Sequence, residues 1–151
     1  TSNECAFFTL PFVDGYRWSS AEQPAALRFR MISNGKAIPI EGGTPTINDA
    51  IPGKLRIEWP LTSVNGTLVM DVDEKQMQIK VEGSKTVDWF LDLSAGDTTS
   101  LPFTKIAPHV ITCRFEGMDY QVKASKGNFL NPGGDAVMRI KPEKNTVVLN
   151  F

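Results

Sequence analysis

The stretch Thr67–Glu82, TLVMDVDEKQMQIKVE, holds two runs of alternating polarity joined by a turn. Leu68, Met70 and Val72 fall on one side of the first run, and Asp71 and Asp73 on the other. Asp73-Glu74-Lys75 turns the chain, after which Met77, Ile79 and Val81 alternate with Gln76, Gln78, Lys80 and Glu82. A period of two residues is the signature of a half-buried strand, so the stretch reads as a hairpin with one apolar face.

The same period extends in both directions. Leu27, Phe29 and Met31 alternate with Arg28 and Arg30, and further strand-like runs cover Ala6–Val13, Lys54–Trp59, Leu61–Val64, Thr86–Leu93, Val110–Glu116, Met118–Ala124, Ala136–Lys141 and Thr146–Phe151. These runs are rich in Val, Ile, Thr and aromatic residues, which suit a pleated surface. Twelve Gly and ten Pro are spread along the chain and leave little room for long helices. Many fall between the runs: Asn65-Gly66 reads as a hairpin turn, Gly83-Ser84-Lys85 and Gly117 separate strands, and residues 131–135 form a Pro/Gly loop. Short strands recurring about every 8–12 residues specify an all-β fold, an antiparallel β-sandwich of roughly ten short strands with little or no helix. The exception is Asp14–Ala26, where Ser19–Gln23 has room for a helical turn. With 151 residues and no linker or repeat, a single domain over residues 1–151 is expected.

Charge and motifs exclude several classes. Sixteen Lys+Arg against seventeen Asp+Glu, without basic runs, lack the footprint of a nucleic-acid binder. No apolar run approaches the ~18 residues of a membrane span. Neither phosphate-loop pattern occurs, and no cofactor is implied. Cys5 and Cys113 are either two small buried hydrophobes or a disulfide of a secreted protein. His109, the one histidine, cannot build a zinc site with two distant thiols without added carboxylate ligands, and no metal site is expected. A Cys113–His109 pair on one strand would stand roughly 13 Å apart, too far for a nucleophile and its base. The chain opens on Thr1 and carries neither a basic nor an apolar leader region, which reads as a processed product. Asn65-Gly66-Thr67 also fits a glycosylation sequon, although the turn reading accounts for it.

Three places carry chemistry worth weighing. Asp71, Asp73 and Glu82 echo a calcium loop, but Lys75 and Gln76 stand where that loop needs an oxygen ligand and a glycine, so they read as a solvated strand face. In Thr86–Leu93, Val87, Trp89, Leu91 and Leu93 form a core face, leaving Asp88, Phe90 and Asp92 opposite. An aromatic between two carboxylates suits a sugar, whose C–H face stacks on the ring while hydroxyls donate to the carboxylates. The plainer reading packs Phe90 on a neighbouring domain or loop and pairs Asp88 and Asp92 across strands with Arg28 and Arg30. Asp14, Tyr16, Arg17 and Trp18 follow a strand in a loop, where two aromatics and two charges suit a glycan or peptide; alternatively Trp18 plugs the core.

Val87–Leu93 (VDWFLDL), Ile111–Gln121 (ITCRFEGMDYQ) and Asn145–Phe151 (NTVVLNF) together resemble the non-catalytic β-sandwich domains attached to secreted bacterial glycoside hydrolases of the Bacteroidetes type. That resemblance implies a secreted or periplasmic, cell-envelope setting and an accessory role: binding a glycan or packing on a neighbouring protein domain, with no catalytic residues. The alternative is a small carbohydrate-active hydrolase or lyase whose carboxylates converge from several strands. A third reading is an adhesin-like envelope protein that donates its last strand.

Overall fold

The Thr67–Glu82 hairpin lies inside the larger of two antiparallel sheets, as its third and fourth strands. The computed structural model describes residues 5–9, 26–83, 87–94, 103–115, 118–130 and 137–150. Among them there is no helix. The eight-stranded sheet runs in the order β4 (Thr46–Asn48), β5 (Leu55–Leu61), β6 (Gly66–Val72), β7 (Gln76–Glu82), β14 (Thr146–Asn150), β11 (Met118–Lys126), β10 (Val110–Phe115), β9 (Phe103–Ala107). The six-stranded sheet runs β1 (Cys5–Thr9), β2 (Ala26–Ser33), β8 (Asp88–Ser94), β13 (Val137–Lys141), β12 (Asn128–Leu130), with β3 (Lys36–Ile38) pairing β2 off that path. The all-β, sandwich-like architecture read from the alternation is the one observed.

Alternation also assigns the faces. Met77, Ile79 and Val81 enter the core with Leu68 and Met70, and from the other sheet come Phe29, Met31, Trp89, Leu91, Leu93, Met138 and Ile140. Phe29 and Trp89 meet at 5.5 Å between ring centroids, tilted by 41°. Burial of the Trp89 indole requires a partner for its N–H, and Asn145 Oδ1 accepts it at 3.1 Å. Asn145 and Lys144 have φ of 61° and 48°, the left-handed pair of a tight turn closed by reciprocal Glu143–Thr146 backbone hydrogen bonds. This turn carries the chain from β13 in one sheet to β14 in the other.

Turn chemistry explains where the observed strands depart from the expected ones. β5 does not stop at Trp59: it passes through Pro60 to Leu61, and a four-residue turn, Thr62–Asn65, replaces the two-residue Asn65-Gly66 turn. Asn65 still supplies the left-handed position, at φ 53°. Proline is tolerated because in an antiparallel strand the N and C=O of one residue point the same way. Pro60 O accepts from Gly43 N at 3.0 Å, so the missing N–H also faces Gly43 and β6 loses no hydrogen bond. The other Asn-Gly pair makes the two-residue hairpin: Asn34 and Gly35, at φ 51° and 74°, join β2 to β3. Strands β3, β4, β9 and β12 are short additions to the set the alternation specifies. The Ser19–Gln23 helical turn lies outside the described residues.

Gly42 is required where this strand meets the preceding loop. A Cβ there would stand 2.3 Å from Trp59 Nε1 and 2.6 Å from Pro60 O, the second a backbone atom that cannot rotate aside. Trp59 Nε1 donates to Gly43 O at 2.7 Å over the same spot. Gly42→Ala is therefore expected to lower stability by roughly 1–3 kcal/mol, the cost of overpacking, read from the urea unfolding midpoint.

Candidate functional site

β8 is the middle strand of its sheet, and both of its faces are covered from Trp89 to Leu93. Asp88 is exposed, whereas Phe90 is 9% and Asp92 4% exposed on the face away from the core. Their cover comes from the strands on either side. In register, Arg139 of β13 and Arg28 of β2 flank Asp92, and Arg30 of β2 stands beside Phe90. Arg139 grips Asp92 with two hydrogen bonds, Nε to Oδ1 at 2.9 Å and Nη2 to Oδ2 at 3.2 Å. Its guanidinium carbon sits 3.7 Å above the centre of the Phe90 ring. Arg30 Nε approaches Asp92 Oδ2 at 3.5 Å. The ring face that would stack on a sugar thus carries a guanidinium, and the carboxylate already serves two cations. Asp92 pairs with Arg30 as the plainer reading has it. Arg139 is the residue that reading lacked. Its signal was its place between Met138 and Ile140 on an alternating strand; recognising its role required the β13–β8 pairing.

Asp14, Tyr16, Arg17 and Trp18 lie outside the described residues. So do the side chains of Cys5 and Cys113, whose backbones fall on β1 and β10, in different sheets.

The outward face of the larger sheet brings Asp71, Asp73, Gln76 and Gln78, which sequence reading placed on the polar side of a hairpin, together with residues it did not single out. Asn48, Arg56, Asp71 and Gln78 are successive cross-strand partners on β4, β5, β6 and β7. They line a groove of about 400 Å³ with Ile51, Lys54, Asp73 and Gln76. That volume lies within the usual range for small-ligand sites. One wall is the loop between β4 and β5, fixed at both ends. Asn48 Oδ1 accepts from Ala50 N at 3.1 Å, and Lys54 N donates to Ile51 O at 3.0 Å across Pro52-Gly53. Gly53 at φ 76° after Pro52 is the sequence of a type II turn. The result is an isoleucine held 60% exposed at the rim. The opposite end is fixed likewise, by Asp73 Oδ1 accepting from Lys75 N and Gln76 N at 2.8 and 2.9 Å.

Electrostatics within the groove are balanced. Arg56 Nη1 donates to both Asp71 oxygens at 3.0 and 2.8 Å, while Nε and Nη2 reach Glu58 Oε1 at 2.9 and 2.8 Å. The hydrogen bond to Glu58, then that to Asp71, raises the Arg56 pKa further above its ordinary value, so its charge is permanent. Asp71 and Glu58 are carboxylates from different strands, as a hydrolase would need, yet both spend lone pairs on one guanidinium instead of facing each other across a cleft. On the same face, Lys80 holds the exposed Glu82 carboxyl below its ordinary pKa, chiefly through their hydrogen bond. The stabilisation from that pair is present above the unfolded carboxylate range and is lost as pH falls through the lowered value; exposure keeps it small. By contrast, the side-chain amides of Gln76 and Gln78 and the Lys54 ammonium have no bonding partner among the described residues.

Searches against protein families, curated proteins and solved structures find no match to this chain. The fold and this groove therefore carry the functional reading by themselves.

Proposed function

We propose that the chain is a non-catalytic accessory module of a secreted polysaccharide-processing protein, and that it binds glycan in the groove over β4–β7. The observation that carries this reading is a preformed concavity in which the Gln76 and Gln78 amides and the Lys54 ammonium have no partner among the described residues. Gln76 and Gln78 each present a donor and an acceptor, and Asp71 is an acceptor fixed in place by Arg56. Sugar hydroxyls donate and accept at once, so neighbouring hydroxyls match an amide and a carboxylate better than any single-role ligand does. Ile51 supplies what the apolar C–H side of a pyranose covers. Because two turns already hold the loop, little conformational entropy would be lost on binding.

Electrophoresis through gels cast with soluble polysaccharides tests the reading. The wild-type protein is expected to be retarded by at least one, and Gln78→Ala to weaken the interaction about fivefold, the worth of one neutral hydrogen bond. Unchanged mobility in every gel, or retardation that Gln78→Ala leaves intact, would sink it.

A second reading, contact with a neighbouring protein domain, is favoured by Ile47, 60% exposed on the edge strand β4. Under that reading Ile47→Asp, and not Gln78→Ala, would alter association with the rest of the parent protein.

A further inference from the structure

Resting on the glycan-binding reading, we infer that the groove takes an uncharged polysaccharide chain lying across the strands, from the β4–β5 loop to β7. Direction follows from register. Asn48, Arg56, Asp71 and Gln78 form one line perpendicular to the strands, and Lys54, Asp73 and Gln76 line the groove beside them. Four adjacent strands give three spacings, about 14 Å in all, so the line is long enough for a short run of sugar rings. A chain lying along a strand would instead leave the groove towards Lys80 and Glu82, where the pair at 2.6 Å already satisfies both charges.

Charge selects the ligand class. Lys54 and Arg56 stand against Asp71 and Asp73 among the lining residues, so the formal sum is zero. All three Arg56 guanidinium nitrogens face carboxylate oxygens, which leaves none aimed at a ligand anion. A uronate or sulfate passing Asp71 would meet a carboxylate, and Arg56, the guanidinium bound to it, is already shared with Glu58. A neutral ring, by contrast, can use its hydroxyls on the Asp71 carboxylate, the amides of Asn48, Gln76 and Gln78 and the Lys54 ammonium, and brings no charge of its own to the balanced set.

The experiment compares neutral polymers (a β-glucan, xylan and galactomannan) with acidic ones (polygalacturonate, alginate and hyaluronan), by gel retardation at low and high salt. Retention by a neutral polymer, little changed by salt, is expected. Ile51→Ala on the β4–β5 loop and Gln78→Ala on β7, at opposite ends of the groove, should each weaken it about fivefold, the first by lost apolar contact and the second by a lost hydrogen bond. Lys80→Gln, off the line, should leave it unchanged, with the thermal midpoints of all variants confirming folding. Salt-sensitive retention by acidic polymers alone would overturn the inference while leaving a glycan module standing. Equal losses from Lys80→Gln and Gln78→Ala would overturn the crosswise direction. Retention by none of the six polymers would remove the inference and the functional reading together.

Discussion

Phe29→Ala is expected to lower the unfolding free energy by about 3–5 kcal/mol, the range for removing a large aromatic from a packed core. Phe29 is 0% exposed and sits mid-strand on β2, beside the middle strand of the smaller sheet, with its ring against Trp89. The gap cannot close easily, since Leu91 and Trp89, its neighbours across β8, are locked in register opposite Phe29 and Met31. Trp89 is further tied by its hydrogen bond to Asn145. Typical domains have only about 5–15 kcal/mol in total, so the variant should unfold at much lower urea. A midpoint shift equivalent to under about 1 kcal/mol would mean that the two sheets do not pack there as described.

Arg139→Met has the next largest expected effect and comes from electrostatics. Methionine keeps apolar cover over Phe90 but leaves Asp92, whose side chain is 5% exposed, with the longer 3.5 Å approach of Arg30 as its one cation among the described side chains. Stranding a buried carboxylate costs about 3–5 kcal/mol, and the remaining Arg30 places this case near 3. The double variant Asp92→Leu/Arg139→Met removes both charges and should recover most of the loss, because burying an ion pair contributes little beyond what good packing gives. Urea titrations of the two variants separate the cases. If the single variant matched wild type, or the double variant were worse than the single, the pair would not be the determinant of this face.

Much of the fold could be read from alternation because a strand's faces obey a local rule. Met77, Ile79 and Val81 had to point together, and they do so into the core. What alternation lacks is pairing. Arg139 and Asp92 are forty-seven residues apart, and only the β8–β13 register makes them partners. The same limit explains the groove. Gln76 and Gln78 were visible as the polar side of a strand, but their meeting with the Pro52-Gly53 turn depends on β4 joining β5 as a three-residue edge. Pro60 misled for a physical reason. A proline argues against a central strand unless its N side faces away from the paired neighbour, and that orientation is set by Gly43, seventeen positions earlier. Phe90 illustrates the reverse case, an outward aromatic that looks like a stacking platform until a cross-strand arginine is placed on it.

The most direct test of the account is a nitrogen-15 and methyl NMR titration with a neutral oligosaccharide. The side-chain amides of Asn48, Gln76 and Gln78 and the methyl groups of Ile51 report on the groove without any substitution. Saturable shifts confined to these signals and their neighbours on β4–β7 are the predicted result. Shifts centred on Asp88 or on Asp14–Trp18, with the groove amides unmoved, would contradict it.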